Sequence, residues 1–162
     1  MTVNTASLQI AAGYNSSGIA NTGGTVTDAF SDATNINAQP NATKTWSYLA
    51  DAGVHNASLA SSSSVTFTLS ALTGALGSVA FSNILVIYFR NLSTTDSVTL
   101  GGAATHPWGP LATGITIPPG GIYALAAPAT GWSVTAGVAD QIKVATGVVS
   151  NPVPFALELH GN

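Results

Sequence analysis

The chain has 162 residues, of which 46% are hydrophobic and only 6% charged, with no cysteine and a formal net charge of −3. The missing cysteines exclude disulfides, thiol nucleophiles and Cys-zinc sites together. The three cations, Lys44, Arg90 and Lys143, lie far apart, which excludes the clustered basic surface that nucleic acid or an anionic membrane requires.

Soluble domains carry about 25% charged residues, so the polar surface here must be built from Ser, Thr, Asn and Gly. Such a surface is easily desolvated and suits packing against copies or a partner. It suits acid–base and metal chemistry poorly, and the expectation is a non-enzymatic protein without a cofactor or metal. The length fits one domain, large enough to bury roughly 68–70% of the unfolded chain's surface. The opening MTVNTASLQIAAGYNSSG has no basic stretch and no sustained apolar run, unlike a secretory signal.

In chain order, Val3 to Ile10 alternates weakly and reads as an edge strand or arm. Residues 13–43 read mostly as loop, because Asn15-Ser16-Ser17-Gly18 and Asn21-Thr22-Gly23-Gly24 are turn-rich. Thr43 to Leu49 reads as a strand with Trp46 inward, or else Trp46 to Ala52 forms a helical turn. The serines at 61–64 read as a connector. From Val65 the pattern sharpens: Val65-Thr66-Phe67-Thr68-Leu69 alternates as a half-buried strand should. Leu72 to Phe81, with Gly74 and Gly77, reads as a loop or broken turn. Ile84 to Phe89 is apolar on both faces and belongs in the middle of a sheet.

Short strands follow at Ser97–Leu100, Gly114–Ile117, Ile122–Ala126, Trp132–Thr135, Gln141–Ala145 and Phe155–Leu159, with Gly101-Gly102 and Gly120-Gly121 read as hairpin turns. No segment shows an apolar helical face. The spacing predicts an all-β fold, an antiparallel two-sheet sandwich of jelly-roll type, with an immunoglobulin-like sandwich as the alternative. Residues 1–64 form its N-terminal arm and long loops, and residues 65–162 its core, within one domain overall.

Chemistry-bearing residues are sparse. His55, His106 and His160 have no metal-ligand spacing. No G-x-S-x-G elbow marks a nucleophilic serine. Asp28 and Asp32, followed by Asn35 and Asn37, read as turn caps in a polar loop, with calcium as the lesser reading. Asp96 and Asp140 read as turn hydrogen-bonders. Among the aromatics, Trp132 and Tyr88 read as core. Trp108, between Pro107 and Gly109, either packs under its own loop or docks on a partner. The candidate interface residues are therefore Trp108, His106, Tyr14 and Trp46.

Four segments form a recurring order: ILVIYFRNLSTTDSVTLGG from Ile84, GITIPPGGIYALAAP from Gly114, GWSVTAGVADQIKVAT from Gly131 and VPFALELHGN from Val153. This order of strands and turns resembles small β-sandwich structural proteins of tailed bacteriophages, the head decoration (cement) and minor virion proteins. The resemblance covers residues 65–162 and carries no catalytic motif. It implies a virion protein assembled in the host cytoplasm, a dimer or trimer bound to the major capsid protein or another virion protein. The alternative is a receptor- or glycan-binding module of a tail or adhesin, supported by Trp108 beside His106 and by the jelly-roll reading.

Overall fold

A computed structural model describes the backbone of residues 7–16, 20–21, 24–25, 28–37, 44–49, 58–74, 77–127 and 129–162, and side chains at 58–73, 78–127 and 129–162. The described elements are strands, apart from one 3₁₀ turn at Gly109–Leu111. That turn starts where Pro110 fixes φ just after Trp108.

The N-terminal strands are β1 (Ser7–Ser16), β2 (Ala20–Asn21), β3 (Gly24–Thr25), β4 (Asp28–Asn37), β5 (Lys44–Leu49) and β6 (Ser58–Leu59). They correct the reading of 13–43 as loop: β1 and β4 pair antiparallel from Ser7↔Asn37 to Ser16↔Asp28, as a two-stranded ribbon. Asp28 and Asp32 are thus strand residues, opposite Ser16 and Ala12, and not caps of a polar loop. Turn-rich composition misled here because Ser, Thr and Asn occur in turns and in paired strands alike.

The remaining strands are β7 (Ser64–Thr68), β8 (Leu72–Gly74), β9 (Gly77–Val79), β10 (Asn83–Asn91), β11 (Val98–Leu100), β12 (Ile115–Ile117), β13 (Ile122–Ala126), β14 (Trp132–Ser133), β15 (Gln141–Thr146) and β16 (Val153–Gly161). The Leu72–Phe81 stretch, expected as a loop or broken turn, holds the short antiparallel pair β8 and β9.

Two antiparallel sheets face each other. One runs β13-β10-β16-β5, with β14 beside the start of β10 and β6 beside the start of β16. The other runs β12-β11-β15-β7. Because β5 and β6 pair with β16, the sandwich draws on residues ahead of 65, and the composition shift near 64 is not its edge.

Alternation explains the core. In β16 Val153, Phe155, Leu157 and Leu159 are buried, and in β15 Ile142 and Val144 are buried. These side chains meet Ile87 and Phe89 from β10, Phe67 from β7 and Val98 and Leu100 from β11 in one cluster. Phe155 stacks on Phe89 in its own sheet at 5.5 Å and takes the edge of Phe67 from the facing sheet at 6.3 Å. This contact across the layers is the packing that defines a sandwich.

Beside Leu85 the β10–β16 register slips: Ile84 faces Gly161 while Val86 faces His160. The bulge keeps both Ile84 and Ile87 in the core. Gly161 permits it, since a Cβ there would overlap the Asn83 carbonyl oxygen.

Candidate functional site: one loop end and two sheet faces

His106 and Trp108 lie on the loop before the 3₁₀ turn, where that loop meets the start of β15. The His106 carbonyl accepts the amides of Asp140 and Gln141, at 3.0 and 2.9 Å, and the Trp108 amide donates to the Gln141 carbonyl at 2.9 Å. Turning the His106 carbonyl inward puts its φ at +48°, a left-handed conformation that non-glycine residues rarely adopt. The imidazole is left exposed at the rim.

Trp108 is fully buried. Its indole N–H donates to the Ser133 carbonyl at 3.1 Å, and its ring meets Trp132 edge-on at 6.1 Å. It is a core residue packed under its own loop, and not an exposed partner anchor. The backbone register pairs Trp46 with Leu159 and Tyr14 with Phe30. The side chains of Tyr14 and Trp46, like His55, lie outside the described ones. Of the two candidates whose side chains are described, only His106 faces solvent.

Beneath His106 sits a carboxylate. Asp140 is 2% exposed. Its Oδ2 accepts the Ser70 hydroxyl at 2.7 Å and the Gly137 amide at 3.0 Å. Its Oδ1 has no hydrogen-bond partner and lies 4.0 Å from His106 Nδ1. Burial pushes this carboxyl up, but the Ser70 and Gly137 hydrogen bonds and the His106 ring outweigh it and hold the group below its ordinary value. Ser70, His106 and Asp140 thus converge, but in the wrong order for a triad. The serine proton goes to the carboxylate and not to an imidazole base. Asp140 instead ties three turns together, as a turn hydrogen-bonder should. The sequence signal was present in Gly137-Val138-Ala139-Asp140, but nothing in it marked Ser70 as the donor.

The energetic consequence has a definite sign. A carboxyl whose folded value is lowered adds stability that is present above its unfolded value and is lost as pH falls through the folded one. Glu158 adds to this, held down first by its 2.7 Å hydrogen bond with His160, against desolvation. Ser70→Ala should cost about 1.5–3 kcal/mol near neutral pH, as for a hydrogen bond to a charged group. The difference from the parent should shrink below the ordinary carboxylate range, where Asp140 is protonated. Urea unfolding over a pH series measures both.

Among the described residues no group of three or more His, Cys, Asp or Glu side chains could hold a metal ion. His160 lies in β16 against Glu158, far along the chain from His106 and in the other sheet.

The two outward faces of the sandwich differ in chemistry. Outward positions of the β12-β11-β15-β7 sheet are Thr116, Thr99, Gln141, Lys143, Ala145, Thr66 and Thr68, a polar face dominated by threonine. Outward positions of the other sheet are Ile122, Ala124 and Ala126 on β13, Val86, Tyr88 and Arg90 on β10, and Ala156, Glu158 and His160 on β16. Tyr88, expected in the core, belongs to this outer face, half-buried between Ala124 and Glu158. Ile122 at its rim is 58% exposed. An outward sheet face is normally polar, so this apolar face is the feature that separates the two layers.

Comparison with known proteins finds no matching family, no similar curated protein and no similar solved structure.

Proposed function

We propose that the chain is a non-enzymatic virion structural protein of the decoration or cement kind, which acts by assembling on a phage capsid. The observation that carries this reading is strand order. Counting the principal strands in chain order as β5, β7, β10, β11, β12, β13, β15 and β16, one sheet runs first, eighth, third, sixth and the other second, seventh, fourth, fifth. We infer from this order that the sandwich is a jelly roll, an architecture that recurs in viral capsid domains and lectins.

The surface fits an assembly role. Contacts made of Ala, Thr, Ser and Asn avoid burying unpaired ions, whose desolvation is expensive. A subunit that binds only the closed lattice stabilises that lattice by mass action. The ribbon of β1 and β4, hydrogen-bonded into neither sheet, is the segment for reaching a neighbour. The partner is the major capsid protein or another virion protein, and the location is the particle itself, assembled in the host cytoplasm. The glycan-binding alternative drew on Trp108 beside His106 and on the jelly-roll reading; the buried indole removes the first support and leaves it only the second.

The test is composition of the particle. Virions from a host carrying the gene are banded on a density gradient and their proteins quantified. The reading expects this chain at fixed stoichiometry with the major capsid protein. Recovery only in the soluble fraction contradicts it.

A further inference from the structure

We propose that the apolar outer face of the β13-β10-β16-β5 sheet is the interface between two copies of this chain, packed face to face about a two-fold axis. This rests on the assembly reading and adds to it the surface and its occupant.

The open part of the face is the end that carries Ile122, Ala124, Tyr88, Arg90, Ala156 and Glu158. At the other end Val86 and His160 are already buried by the chain itself. Alanine at three of the outward positions keeps the face flat, which lets a second sheet approach to the roughly 10 Å of stacked sheets. Ile122 and Tyr88 supply the larger apolar area.

Charge selects a second copy as the occupant. Arg90 and Glu158 are the only Asp, Glu, Lys or Arg residues among the described outward positions of this face, and they have opposite sign. They sit on neighbouring strands two positions out of register: Arg90 is opposite Ala156, whereas Glu158 is opposite Tyr88. Arg90 is exposed and makes no ion pair among the described residues, and the Glu158 side chain is 44% exposed. A two-fold axis lying in the interface, midway between these positions, brings Arg90 onto the partner subunit's Glu158 and Glu158 onto the partner subunit's Arg90. Isologous interfaces are self-complementary in this way. The threonine face offers no such pairing, since Lys143 is its only charge among the described outward positions.

The experiment is a charge-reversal cycle on the full chain, read by sedimentation velocity with melting temperature as the fold control. Arg90→Glu and Glu158→Arg should each weaken self-association by roughly tenfold or more, because each places like charges together twice. The double variant R90E/E158R should restore it, and Thr99→Arg on the threonine face should leave it unchanged. Self-association that persists through both single variants, or fails to return in the double variant, overturns this interface while leaving assembly intact. A fall in melting temperature with unchanged mass places the chain's own segment on the face and also overturns it. A parent chain that never self-associates overturns this interface, whereas the assembly reading itself falls only if the chain is also missing from the particle.

Discussion

Trp108→Ala is expected to destabilise the fold by about 3–5 kcal/mol, the range for deleting a fully buried tryptophan. Two losses add to the cavity. The Ser133 carbonyl loses the indole N–H, and Trp132 loses the ring that its own ring meets edge-on. Trp108→Phe restores apolar volume without the N–H and should recover much of the loss. Equilibrium unfolding in urea, with tryptophan fluorescence and circular dichroism in parallel, measures both variants. A loss under about 1 kcal/mol for the alanine variant, the scale of surface substitutions, would mean that Trp108 is not packed as described.

Asn91→Asp is the second large effect. Asn91 is fully buried at the end of β10. Its Nδ2 donates to the carbonyls of Asp96, Ile117 and Pro118 at 2.8, 3.2 and 3.0 Å, and its Oδ1 accepts the Ser93 amide at 3.0 Å. One side chain thus pins the loop after β10 to the turn after β12. An aspartate keeps the shape but points an anionic oxygen at three carbonyl oxygens. The expected cost is about 3–5 kcal/mol near neutral pH, the scale of an uncompensated buried charge. Protonation restores a donor, so the deficit should narrow in acid, opposite in trend to the parent's own loss of stability. Unfolding curves for parent and variant over a shared pH series separate the two.

How far the fold was legible depended on the physics of each segment. Period-two alternation made β7, β15 and β16 readable, because one face of each is buried and the other solvated. The run Ile84 to Phe89 was readable as central because both of its faces lack charge. The ribbon of β1 and β4 was not, since Ser, Asn and Thr signal turns and solvated strands alike. The glycine pairs were seen as turns but not as the right kind. Gly120-Gly121 follows the edge strand β12 and carries the chain into β13 of the facing sheet. Gly101-Gly102 opens the long loop that holds His106 and Trp108. Neither joins a tight hairpin, because turn residues report a change of direction and not which strands pair.

The candidate site was less legible than the fold. Trp108 was marked by its flanking prolines and glycine, but only packing decides between a loop's own core and a partner. The outer-face contrast depends on register, because Ala124 and Ala156 become one surface only when β13 and β16 flank β10. Register likewise carries the sandwich past the composition shift at residue 64, since β5 and β6 pair with β16. A truncation at residue 64 would strip β5 and β6 from β16.

If the chain acts by assembling, as proposed, its mass in solution should depend on its concentration. Light scattering on the chain, over a concentration series up to its solubility limit, should give the mass of a dimer that dissociates on dilution. A chain that stays monomeric throughout, and gives purified capsids no protection against heat, would contradict the account.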